Sequence, residues 1–103
     1  MREEKQMISW KKESKKVRKH IFFSGMVQGV GFRYRSYYIA QSLGLTGWVA
    51  NMWDGRVEME VQGDPESIGR MLEQLYEGRF ISIDRIDSED IPVIPETGFT
   101  IKN

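Results

Sequence analysis

The sequence predicts an α+β sandwich: an antiparallel sheet with two helices on one face, in the order βαββαβ, and a short extra strand at the C-terminus. Three observations carry this reading. Apolar residues recur at a period of two in several stretches and at helical spacing in two others. Glycine, proline and an Asp-Gly pair fall between these stretches, where turns and helix ends are needed. The 103 residues contain no cysteine, so a hydrophobic core rather than disulfides must hold the chain together.

The elements follow in order. From Lys19, Ile21, Phe23, Gly25 and Val27 alternate with His20, Phe22, Ser24 and Met26, which predicts a first strand apolar on both faces. The loop Gln28 to Gly31 comes next. A helix is expected from about Phe32 to Leu43, because Phe32, Ser36, Ile39, Ala40 and Leu43 lie on one stripe, with Gly44 as its stop. Leu45 to Met52 reads as a second strand and Asp54-Gly55 as a hairpin turn. In the third strand, Arg56 to Gly63, Val57, Met59 and Val61 point one way and Glu58, Glu60 and Gln62 the other. The stretch DPES opens the second helix, with Asp64 at the N-cap, Pro65 at the first helical position and Glu66 against the dipole. Ile68, Met71, Leu72, Leu75 and Tyr76 form its expected buried stripe, and Gly78 ends it. Ile81 to about Ile86 is a fourth strand, and the step from Ile83 to Ile86 breaks the period, so a bulge or a strand end is expected there. A loop with Pro92 and Pro95 leads to a final edge strand, Phe99 to Lys102.

In this order the third strand slots between the first and second, which is the split-βαβ, ferredoxin-like arrangement. Strands one and two then run parallel, and their C-terminal ends share one edge. The loop Gln28–Gly31, the start of the first helix and Asn51 at the end of strand two meet there by topology alone. The uncovered sheet face carries Glu58, Glu60 and Gln62, with Phe22 and Trp48 as apolar patches.

Composition bounds the rest. An apolar share of 40% and a charged share of 29% are those of a soluble globular domain. Without cysteine there are no thiolate nucleophiles or cysteine metal sites, and so small a domain without bridges points to the cytoplasm. No apolar run is long enough for a membrane span or a signal peptide. The net charge is zero but uneven: residues 1–20 hold eight bases against three acids, and the remainder seven against twelve. Residues 1–17 read as a basic N-terminal extension, flexible or weakly helical, and 18–103 as the folded domain. The chain is expected to be a monomer.

The stretch MVQGVGFRYR, Met26 to Arg35, concentrates the chemistry. Gly29 and Gly31 permit a backbone that turns consecutive N–H groups inward, and a helix N-terminus follows at once; both suit a phosphate-sized anion. Arg33 adds a fork able to hold two phosphate oxygens. At this point two readings stand: an anion seat, or a tight turn beside a solvent-exposed arginine.

GMVQGVGFR, Gly25 to Arg33, together with GWVANMWDGRVEMEVQG, Gly47 to Gly63, resembles the acylphosphatase family. The first stretch is similar to that family's G-x-V-Q-G-V-x-F-R signature, and the second to its glycine–aromatic–valine–x–asparagine signature. The resemblance runs from about Lys19 to the C-terminus, including Gly98-Phe99-Thr100-Ile101. It implies the same fold, and hydrolysis of the carboxyl–phosphate bond of small acyl phosphates to a carboxylate and inorganic phosphate. It implies that Arg33 binds the phosphate, that Asn51 positions the attacking water, and that Gln28, Gly29, Val30, Gly31 and Phe32 form the backbone cradle. No metal or other cofactor is implied. Met26 departs from the family, standing where many members have a basic residue, which weakens long-range attraction of substrate. Arg79 to Ile81 and the N-terminal extension also depart from it.

The chemistry closes with few groups. The leaving carboxylate has a conjugate acid of pKa about 4, so it departs at neutral pH without a general acid. His20, the lone histidine, is expected as a partly exposed strand residue at the opposite sheet edge, and Asp54 as a turn residue. Glu58 and Glu60 read as a solvated strand face. Tyr34, Tyr37 and Tyr38 are expected to pack around the first helix, with one of them a candidate to line the mouth of the site. Two alternatives remain beside hydrolysis: a domain that binds acyl or carbamoyl phosphate with weak turnover, and an RNA-binding ferredoxin-like module. Acids on the third strand speak against the latter, since they repel a phosphate backbone.

Overall fold

A computed structural model describes residues 15–103. Most of the expected N-terminal extension, residues 1–14, lies outside the described residues. The elements are β1 (Val17–Met26), α1 (Phe32–Leu43), β2 (Thr46–Asn51), β3 (Val57–Gly63), α2 (Pro65–Tyr76), β4 (Ser82–Ile91) and β5 (Phe99–Ile101). The sheet order is β4-β1-β3-β2-β5. β1 pairs antiparallel with β3 and β4, and β2 antiparallel with β3. This is the expected split βαβ with one amendment. β5 pairs parallel with β2, so the sheet is mixed rather than wholly antiparallel.

The core lies between sheet and helices. Ile21 and Phe23 from β1, Val49 from β2, and Val57, Met59 and Val61 from β3 are fully buried. They meet Phe32, Ile39 and Ala40 of α1 and Ile68, Met71 and Leu75 of α2. The alternation in β3 and the stripes in both helices therefore predict the right faces. Tyr76 does not follow: it is 54% exposed. At about 100° per residue it lies about 80° round the helix from Ile68, at the margin of the stripe, and the helix ends there. Tyr34 and Tyr38 are also exposed, whereas Tyr37 packs against the core.

β4 extends well past Ile86, to Ile91. Its polar second half, Asp87 to Asp90, shows no apolar alternation, but β1 offers a partner along the whole length, from Arg18 opposite Ile91 to Met26 opposite Ser82. Pairing overrides propensity here. The broken period marks a bulge, as expected: Ser24 pairs with Arg85 and Gly25 with Ile83, leaving Asp84 as the extra residue.

The uncovered sheet face is less open than its alternation implies. The chain from β4 to β5 crosses it. Gln62 donates to Ile94 O at 2.8 Å and accepts from Ile94 N–H at 3.0 Å. Arg18, 2% exposed, donates to Glu96 at 2.7 Å, to Glu60 at 2.9 Å and to Gln62 at 3.1 Å. Gln62 is thus buried, and Glu60 is an ion-pair partner rather than a freely solvated carboxylate. Glu58 likewise meets His20 Nε2 at 2.7 Å.

Candidate active site

β1 and β2 flank β3 and run parallel to each other, so the loop after β1 and the last residue of β2 reach the same edge. In that loop Gly29 and Gly31 have φ of 75° and 80°. A Cβ at either would meet nothing within 4 Å, so it is the left-handed backbone and not crowding that calls for glycine. Gly31 is the N-cap of α1, and its carbonyl accepts the Arg35 N–H at 3.0 Å. The N–H groups of Phe32, Arg33 and Tyr34 have no partner within the helix, and the positive end of the helix dipole lies there.

The side chains of this stretch hold the loop in place. Phe32 is buried with its ring centroid 4.9 Å from that of Phe23. Val30 packs against the same core. Gln28 Nε2 donates to Met52 O at 2.7 Å and to Arg56 O at 2.8 Å, tying the loop to the β2–β3 turn. That turn is closed by the Met52 N–H on Arg56 O at 2.8 Å. Asp54 serves it: its carboxylate accepts from the Arg56 N–H at 3.1 Å and from Arg56 Nε at 2.9 Å. The Arg56 N–H foremost, then the Arg56 side chain, hold the Asp54 carboxyl below its ordinary range. Trp53 at the tip of the turn is 92% exposed.

Asn51 ends β2 directly opposite Val57, on the helix-covered face. Its Oδ1 is buried and accepts no hydrogen bond from the described residues. Its main chain is held by a residue that sequence reasoning missed. The Asn51 N–H donates to Asn103 Oδ1 at 2.9 Å, and Asn103 Nδ2 donates to Asn51 O at 2.8 Å. Arg33 Nη1 donates to the same Asn103 Oδ1 at 3.2 Å and to Asn103 main-chain O. One side-chain amide therefore joins Arg33 and Asn51. A polar residue just past a short strand gives no sequence signal for such a role; only the parallel pairing of β5 with β2 reveals it.

The residues expected at the rim are thus together: Gln28, Gly29, Val30, Gly31, Phe32 and Arg33 in one continuous stretch, and Asn51 beside them through Asn103. His20 stands apart on the uncovered face with Glu58. Among the described residues no group of His, Asp and Glu side chains is arranged to hold a metal ion. The rim offers one guanidinium, main-chain amides at a helix start and a buried amide oxygen. Chemically, that set can bind a small oxyanion and orient a hydrogen-bond donor beside it.

Comparison with known proteins gives a consistent answer. Residues 19–101 match the family model for acylphosphatase. An acylphosphatase of Bifidobacterium longum is 46% identical over 82 residues, covering 79% of this chain and 84% of the relative. The structure of an acylphosphatase from Coxiella burnetii superposes with a TM-score of 0.78 at 35% identity, covering 84% of this chain and 93% of that one. That of the Bacillus subtilis acylphosphatase superposes with a TM-score of 0.79 at 31% identity, covering 84% and 99%.

Proposed function

The chain belongs to the acylphosphatase family and hydrolyses the carboxyl–phosphate bond of acyl phosphates, and from that premise we propose that Arg33 and the loop 28–33 seat the phosphoryl group while Asn51 aims the attacking water. The observation that carries this division is the Asn51 amide. Its Oδ1 is shielded from solvent and accepts nothing from the described residues, yet it stands at the rim that Arg33 and the glycine loop share. A buried acceptor without a partner is costly and calls for a reason. A water molecule donating to this oxygen would direct its own lone pair toward the seated phosphorus.

Each part then has a task. Arg33 gives Nη1 to Asn103, and among the described residues Nε and Nη2 have no partner, so two donors remain for two phosphoryl oxygens. The N–H groups at Gly29–Phe32 and the start of α1 meet the charge that a loose transition state spreads over the equatorial oxygens. Water attacks phosphorus, the bond from phosphorus to the carboxyl oxygen breaks, and the carboxylate leaves unprotonated. The water's proton passes to a phosphate oxygen. Positioning of this kind supplies about 7–11 kcal/mol in favourable cases. We place the protein in the cytoplasm as a monomer, on the strength of a cysteine-free composition and a site completed within one chain.

The test is phosphate release from benzoyl phosphate in buffer without added metal. The parent should turn over, and Arg33→Ala and Asn51→Ala should each lose at least about 10²–10³ in rate. Full activity in either variant contradicts its assigned role.

A further inference from the structure

Resting on that reading of the rim, we propose that Asn103 is a positioning residue for the hydrolysis: its side-chain amide sets Asn51 and Arg33 in one mutual geometry. Along β2 the residues that face β5 are every second one. The Gly47 N–H donates to Gly98 O at 3.1 Å, and the Lys102 N–H donates to Val49 O at 2.9 Å. Asn51 is next in that series, but regular pairing stops at Ile101, opposite Val49. The Asn103 side chain supplies the following rung. Its Oδ1 and Nδ2 accept from and donate to the two main-chain groups of Asn51, at 2.9 and 2.8 Å, as a neighbouring strand would.

The same Oδ1 also receives Arg33 Nη1 at 3.2 Å. One oxygen therefore faces both the N–H of the residue that aims water and the guanidinium that holds phosphate. Two consequences follow from hydrogen-bond chemistry alone. The β2 end is tied to Arg33 through this one amide. And the guanidinium is held by one terminal nitrogen, which leaves its Nε–Nη2 edge directed elsewhere as a two-pronged donor. An amide fits this post better than a carboxylate, which would lose the donation to Asn51 O and compete with phosphate for Arg33. Asn103 is exposed and makes no part of the core, so its substitution leaves the fold to the residues that build it.

The test is a double-mutant cycle in kcat for benzoyl phosphate, with phosphate inhibition constants measured alongside. Asn103→Ala in the parent should lower kcat about tenfold and weaken phosphate a few-fold. In the Asn51→Ala background, the same substitution should cost clearly less kcat than in the parent, because the side chain it aims is gone and only its hold on Arg33 is left to lose. Asn103→Asp should weaken phosphate more than Asn103→Ala does, since its charge engages Arg33. Asn103→Ser, which keeps a polar group but not the two-point pairing, should follow Asn103→Ala. Equal kcat losses in both backgrounds, or no loss in the parent, overturn the proposal while leaving the roles of Arg33 and Asn51 standing. Wild-type turnover by both Arg33→Ala and Asn51→Ala would remove the reading on which it rests, and the proposal with it.

Discussion

Single residues carry the rim. Gly31 has to be left-handed so that its carbonyl opens α1 while the following amides stay available. We expect Gly31→Ala to lower stability by about 1–2 kcal/mol, the ordinary cost of that conformation with a Cβ, and to weaken phosphate because the amides turn away. Urea unfolding and a phosphate titration on the same variant check both. A stable variant with parental phosphate affinity would mean that the loop does not seat the anion. The placement of Gly29, Gly31, Arg33 and Asn51 at one edge was legible in the sequence because glycine spacing, a helix start and strand topology converge there, whereas the tasks proposed for Arg33 and Asn51 come from the family resemblance. Gln28 was legible only as part of the loop. That its amide spans to Met52 O and Arg56 O depends on how the β2–β3 turn approaches, which no local pattern encodes.

Elements place these residues, and two neighbouring arginines show how. Arg33 faces the rim; Arg35, two residues on, reaches across to α2. Its Nε and Nη2 donate to Gln74 O at 2.9 and 2.7 Å, a positive charge at the C-terminal end of that helix. Arg35→Ala should cost about 1–3 kcal/mol of stability and leave phosphate affinity unchanged, the reverse of Arg33→Ala. Denaturation midpoints and phosphate titrations of the pair check the contrast. The span of α1 and the bulge in β4 could be read from periodicity, since apolar stripes and their interruption report the face each element buries. The second half of β4 could not, for Ser82–Ile91 is held by its pairing with β1 rather than by its own composition. Tyr76 shows the matching limit at a helix end, where a residue at the margin of the stripe stays half exposed.

Across the whole molecule, the β4–β5 connection is strapped over the sheet by Arg18, Glu60, Gln62 and Glu96, and is continuous with β5 and hence with Asn103. Burial disfavours the Glu96 charge, but hydrogen bonding and the charge of Arg18 outweigh it and hold the carboxyl below its ordinary range. A carboxyl depressed by folding adds stability that is present above its unfolded pKa and is lost as the pH falls through its folded pKa. Stability should therefore decline on acidification below about pH 4.5, and Glu96→Gln should flatten that decline while lowering stability at pH 7 by about 1–3 kcal/mol. Unfolding curves over a pH series check the slope; an unchanged slope would assign the acid sensitivity elsewhere. The proposed division of labour lies at one rim of the sheet, and isothermal titration of inorganic phosphate into Arg33→Ala and Asn51→Ala, set beside their turnover, tests it most directly. The prediction is that Arg33→Ala loses phosphate binding, whereas Asn51→Ala keeps parental affinity while its kcat falls by about 10²–10³. An equal loss of phosphate affinity in the two variants would contradict it.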